Sequence, residues 1–256
     1  MTEFMETEND IKEVLLVQTN GKDFLLPYFE REWGKRGFVI TDSQAIPTDN
    51  AKLTAAVCIS STDVYDIDEG FGIDEQAPVI SSSPWLERER EFTELCKGLG
   101  VNGAIIRCAE IVGTGMNGFA MRLAKGIARG TLMHIAGNDG QLSVVHAVDV
   151  SRFGIDLADK ATESGSTIGP LNLTDGNDTK IDDLINALAF RIKDKDVFTI
   201  KNAKLARLIY GGEFYGQMTR RLTFSNAAAM KILPGVDKPV TVTEYLRTHN
   251  YDSNSL

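Results

Sequence analysis

The sequence predicts an α/β protein, with a parallel sheet over residues 11–112 and a smaller mixed region after it. Three observations carry this. EVLLVQT (13–19), AAVCI (55–59) and VNGAIIRC (101–108) are short, near-continuous apolar runs, the pattern of strands buried on both faces. The first run is followed by the turn signal Asn20-Gly21, a helical pattern and a second strand, which together make a βαβ opening. Further helical patterns then alternate with the strands.

In order, residues 23–35 read as the first helix. Phe24, Leu25, Tyr28, Phe29 and Trp33 recur at three- and four-residue spacing, and Pro27 falls in the first turn, where its missing N–H costs nothing. Gly37 closes this helix, and FVIT (38–41) makes a second strand ending at Asp42. The ten residues 43–52 are too few for a crossover helix, which needs about a dozen. That link is therefore expected to be a long arch or an irregular crossing. The next strand runs into Ser60, Ser61 and Thr62. Hydroxyls there suit a polar strand end, and equally an active site, since open α/β sheets place chemistry beyond the carboxyl ends of their strands.

Residues 87–99 form a charged helix, 113–118 (GTGMNG) a glycine-rich turn, and 119–129 another helix. Short strands are expected at 133–135, 142–145 and 171–173, with helices at 149–161 and 180–193. Residues 196–256 read as short helices and loops, interrupted by Pro234, Gly235 and Pro239. The expected division is 11–165 for the sheet region and 166–256 for a smaller region intertwined with it.

The chain has 256 residues and a net charge of −9. That acidity argues against nucleic acid as a partner, because such binding neutralises phosphates with Lys and Arg. No apolar run approaches a membrane span. The start, MTEFMETENDIKE, has no basic or apolar region of a secretory signal and is expected to be a tail. Cys58, Cys96 and Cys108 are widely spaced, which suits reduced core residues in a cytoplasmic protein. With three histidines and no CxxC pair, no metal site is expected.

Several motifs occur together in a telling order: SSTDVY (60–65), IIRCAEIVGTG (105–115), VVHAVDVSRFGIDLA (144–158) and GPLNLTDGNDTKIDDLINALA (169–189), then RLTFSNAAAMKILPGVDKPVTVTEYL (221–246). They resemble the extended short-chain dehydrogenases, the NAD-dependent epimerase/dehydratase family that acts on nucleotide sugars. The resemblance implies a Rossmann-like parallel sheet with a small mixed C-terminal substrate domain, and NAD or NADP as cofactor.

The chain also departs from that family. The G-x-x-G-x-x-G that receives the pyrophosphate is represented by QTNGKDF, in which Gly21 alone remains. Two βα units are missing between the second strand and the Ser-Ser strand. Residues 14–17 are therefore expected to pair directly with residues 55–59. The Tyr and Lys of the family's Y-x-x-x-K align with Trp85 and Glu89. Indole is no base at neutral pH, and a carboxylate does not lower a phenol's pKa.

On the resemblance, Ser61, Thr62 and Tyr65 are the catalytic candidates, and Gly21, Asp42 and Arg107 the cofactor-binding ones. Gly113, Gly115, His146 and Arg221 are the substrate-binding candidates. Two functions follow as expectations. One is a divergent member with degraded motifs, serving as a binding or partner subunit for a nucleotide sugar. The other is an atypical active NAD(P)-dependent enzyme. Assembly as a homodimer, or with a full-length homologue, is left open: the resemblance implies two dimer helices, of which the one holding Trp85 is kept and the other falls in the missing stretch.

Overall fold

The computed structural model describes residues 12–17, 23–34, 38–42, 53–192 and 197–248. Gly21, the 43–52 link and the N-terminal tail lie outside them. β1 (Lys12–Val17), α1 (Leu26–Gly34) and β2 (Phe38–Asp42) form the βαβ opening, with a 3-10 turn leading into α1. β3 (Leu53–Ser61), β4 (Gly70–Ile73), α2 (Pro84–Leu99), β5 (Asn102–Cys108) and β6 (Glu110–Val112) follow. Next come α3 (Gly118–Arg129), β7 (His134–Ile135), β8 (Gln141–His146), α4 (Ala147–Ser164) and β9 (Ile168–Leu173). The last described elements are β10 (Asp178–Lys180), α5 (Ile181–Ile192), β11 (Thr199–Ile200), α6 (Ala203–Tyr210), α7 (Gly212–Thr219), β12 (Arg221–Phe224), α8 (Ala227–Ile232) and α9 (Val242–Thr248).

The first sheet has the order β2-β1-β3-β5-β9, and every pair in it is parallel. The pairing expected from the missing units is present: Val14 lies opposite Ala55 and Leu16 opposite Val57. The strand order changes direction between β1 and β3, which on this kind of sheet marks the ligand crevice. Side-chain alternation along β3 sorts the two faces. Val57 and Ile59 join Phe29 of α1 and Phe153 of α4 in one core, while Ala56 and Cys58 join Phe92 and Cys96 of α2 in another.

α4 approaches α1 closely because position 154 has no side chain. A Cβ there would stand 2.8 Å from the Phe29 ring. Gly154→Val is therefore expected to cost about 1–3 kcal/mol through overpacking, read as a lowered urea midpoint. An unchanged midpoint would mean that α1 yields freely at this crossing.

The second sheet runs β10-β8-β12-β4, with β6 alongside β8. Only short helices and loops were expected beyond residue 196, and that expectation is corrected by β11 and β12. RLTF is a four-residue strand, too short to show a period, and it is stabilised by parallel neighbours on both sides. The two regions interleave. β9 lies past residue 165 yet completes the first sheet, while β4, β6 and β8 come from before it and build the second. All three cysteines are buried thiols. Burial pushes Cys58 up to about 12, with the Glu89 carboxylate adding to it, so this thiol is inert at neutral pH. Among the described residues, no helix is long and apolar enough to cross a membrane.

Candidate functional site

Three adjacent strands present three polar residues in one row. Register sets Ser60 of β3 beside Arg107 of β5, and Arg107 beside Asn172 of β9. α2 covers this row and lowers Glu89 onto it. The Arg107 guanidinium grips the Glu89 carboxylate with both ends, Nε to Oε1 at 2.8 Å and Nη2 to Oε2 at 2.7 Å. Ser60 Oγ donates to the same carboxylate at 2.6 Å. The third guanidinium nitrogen, Nη1, donates to the Tyr65 hydroxyl at 3.2 Å, and Tyr65 donates onward to Asn172 Oδ1 at 2.6 Å. The chain of bonds ends where Asn172 donates through Nδ2 to the Ile73 carbonyl and through its backbone N–H to Glu75. Charges this deeply buried require such saturation.

Tyr65 is thereby a structural member of the network. Burial pushes its phenol above the ordinary value, outweighing the downward pull of Arg107 and Asn172. Its ring stacks on Phe224 at 5.5 Å. A proton-accepting tyrosine would need the opposite shift.

Beyond the strand ends lies an open cleft between the two sheets. One cavity of about 260 Å³ is lined by Thr62, Asp63, Glu110, Gln141, Ser143 and Arg220, among others. A second, of about 220 Å³, adjoins it through Thr62, Asp63 and Glu110 and reaches Ser61, Trp85 and Asn117. Ser61 caps the 3-10 turn at 62–64, its Oγ accepting the Asp63 N–H at 3.2 Å. Trp85 forms the wall where the resemblance would place the base. Among the described residues, the side chains of Thr62, Asp63 and Gln141 make no hydrogen bond, so they are available to a ligand. Asn117 gives α3 no side-chain cap; the Glu110 carboxylate accepts the Ala120 N–H at 2.7 Å instead. A fixed anion thus sits at the helix start, where a phosphate would otherwise be attracted.

The remaining candidates fall elsewhere. Arg107 is committed to Glu89 and Tyr65. Asp42 ends β2 opposite Leu16, and its backbone alone is described. His146 caps α4, its Nδ1 accepting the Val148 N–H, and its ring stacks on Tyr245 at 3.7 Å. Arg221 faces Glu69 and Asp139 at 3.7 and 3.5 Å. Its neighbour Arg220 lines the cleft, held by the carbonyls of Ile67 and Asp68. Sequence reasoning singled out the replacement at Glu89 but missed its partnership with Arg107. It missed Asn172 and Glu110 altogether. A carboxylate shortly before a glycine-opened helix was the available signal for Glu110.

Gly113 and Gly115 test whether a dinucleotide fits. A Cβ at Gly115 would stand 2.9 Å from Phe24 Cβ, and one at Gly113 would stand 2.8 Å from the Tyr28 hydroxyl. That hydroxyl accepts the Thr114 N–H at 2.6 Å. The first turn of α1, which receives the pyrophosphate in dinucleotide-binding sheets, is closed on this side by the chain's own loop. With Trp85 on the cleft wall and Glu89 bound to Arg107, the described site does not fit NAD or NADP. Among the described residues, no cluster of three or more His, Cys, Asp or Glu side chains is placed to hold a metal.

No family model and no curated protein matches the chain in sequence. Solved structures do match in fold. UDP-glucose 4-epimerase from Brucella ovis, in complex with NAD, is 14% identical with a TM-score of 0.63, over 92% of this chain and 96% of that one. UDP-glucose 4-epimerase from Thermotoga maritima, with UDP-glucose, is 14% identical with a TM-score of 0.59 over the same shares, 92% and 96%. The human epimerase family protein SDR39U1, with NADPH, is 10% identical with a TM-score of 0.60, over 88% of this chain and 94% of that one. At these identities the likeness is one of fold.

Proposed function

On this fold, which is that of the NAD-dependent epimerase/dehydratase family, we propose that the chain binds a sugar-type ligand in the cleft and performs no hydride transfer. It would serve as a binding or partner subunit, with a nucleotide sugar as the ligand class. The observation that carries this reading is Glu89. The position aligned with the family's lysine bears a carboxylate locked on both oxygens by Arg107. Trp85 at the tyrosine position removes the other half of the proton-transfer pair. The contact of Phe24 and Tyr28 with the 113–115 loop adds a steric argument against the dinucleotide. Thr62, Asp63 and Gln141 supply the mixed donors and acceptors that sugar hydroxyls need.

Thermal-shift titration tests both halves. A ligand at ten times its Kd adds about 1.4 kcal/mol, roughly 3–6 °C for a domain of this size. UDP-, GDP- or dTDP-sugars are expected to produce such a shift at millimolar concentration, and NAD⁺ and NADP⁺ none. A saturable shift with either dinucleotide would overturn the reading and favour an atypical active enzyme. Ser61 and Asp42 would then be the first residues to replace.

A further inference from the structure

Farther along α3, beyond the cleft, lies a second concavity of about 320 Å³, lined by Arg122, Lys125, Arg129, Ile209, Tyr210 and Phe214. The three α3 cations recur at positions i, i+3 and i+7 and so share one face of the helix. α6 forms the opposite bank. Tyr210 pins it to Met133 with two hydrogen bonds, donating to the carbonyl at 2.9 Å and accepting the N–H at 2.8 Å. Ala206 is the one residue that α6 buries. Leu205, Leu208 and Ile209 stand at i, i+3 and i+4 on a neighbouring face, 48%, 80% and 50% exposed. A protruding aliphatic stripe of this kind is unusual on a surface that meets only water.

Charge is segregated around the stripe. At 100° per residue, Ile209 borders the concavity and Lys204 borders Leu208 on the outer side, with Arg207 beyond it. Among the described residues, Lys125, Arg129, Lys204 and Arg207 have no counter-ion. Arg122 pairs with Glu213 at 3.1 Å, bonds Gln217, and lies over the Phe214 ring. Five cations thus flank the apolar surface of the concavity and the α6 stripe, and among the described residues Glu213 is the one carboxylate paired with any of them, in a chain whose net charge is −9. Composition alone would have placed acids there.

We infer that this groove docks an acidic amphipathic helix from a partner protein. Cations stand on both sides of the aliphatic stripe, those of α3 across the concavity and those of α6 beyond Leu208, so a helix with one aliphatic stripe and flanking carboxylates meets matching groups on each side. A bilayer would need cations and apolar tips on one common plane, whereas the α3 cations line a concavity on one side of the aliphatic stripe and the α6 cations flank the stripe on its other side.

The test uses the full chain and a fluorescein-labelled helical peptide of Leu and Glu, with Leu at i, i+3, i+4 and i+7; a Leu/Lys peptide is the control. Anisotropy should show saturable binding of the acidic peptide only, weakening as salt shortens the Debye length below about 10 Å. Lys125→Glu with Arg129→Glu, and separately Leu208→Gln, should each weaken it roughly tenfold or more while leaving Tm unchanged, since all three sites are exposed. No saturable binding, or binding that these variants leave intact, overturns the inference. So does co-sedimentation with phosphatidylserine vesicles that the same variants abolish, which would assign the surface to a membrane.

Discussion

Replacing Arg107 by methionine is expected to destabilise the protein by about 3–5 kcal/mol, because it strands the Glu89 carboxylate in a dry interior. Both side chains are almost wholly buried, at 4% and 6% exposure. Glu89 would keep only Ser60 among its short contacts, and Tyr65 would lose its guanidinium donor. The loss should appear as a fall in Tm of roughly 6–20 °C. Replacing both partners, Glu89→Leu with Arg107→Met, removes the charges together and is expected to recover most of that stability. If the double variant were as unstable as the single one, shape rather than charge would be what the pair supplies. The same geometry explains why a lysine at position 89 should fail. Glu89→Lys would set an ammonium against the Arg107 guanidinium in a low-dielectric site, and soluble expression of that variant would contradict the burial argument.

The second large effect is on pH dependence. Asp149 and Asp175 hold the segment leading into α9. Asp149 Oδ2 accepts the Val240 N–H at 3.1 Å, and Asp175 Oδ2 accepts the Val242 N–H at 2.9 Å. Burial pushes Asp175 up to about 6 from 3.8, outweighing its backbone hydrogen bonds, and nearby Asp149 and Asp178 add to the rise. Burial raises Asp149 as well, against the pull of Arg152. An acid held more tightly in the native state stabilises the fold below its unfolded pKa, and that contribution is lost as pH rises through the folded value. Between pH 4 and 7, Asp175 should therefore subtract on the order of 3 kcal/mol. Urea titrations of the parent and Asp175→Asn at several pH values isolate the effect. The difference between them should slope downward for the parent between about pH 4 and 6. A flat difference would place the carboxyl in a water-like setting.

Some of this was decided by local pattern. β1, β3 and β5 were legible in the apolar runs 13–19, 55–59 and 101–108, because a strand covered on both faces must be apolar along its whole length. Ten residues between β2 and β3 leave no room for the two βα units that the family resemblance implies there, so the pairing of β1 with β3 was an expectation from that resemblance, and it is present. That Trp85 and Glu89 stand at the tyrosine and lysine positions is what the resemblance implies, and residue type decides acid–base chemistry before geometry enters.

Tertiary structure decided the rest, because the deciding contacts join residues far apart in sequence. Arg107 was a cofactor-binding candidate at a strand end until register set it between Ser60 and Asn172 and α2 brought Glu89 down on it. Arg220 and Arg221 are neighbours of the same type, yet one lines the cleft and the other faces Glu69 and Asp139. A strand starts between them, and successive side chains on a strand point to opposite faces. Gly113 and Gly115 read as a turn in the sequence, and their closeness to Phe24 and Tyr28 required α1 to be placed. One-dimensional periodicity reports how much of each element is buried. Which element covers it, and in which register, is settled only when all the faces pack at once.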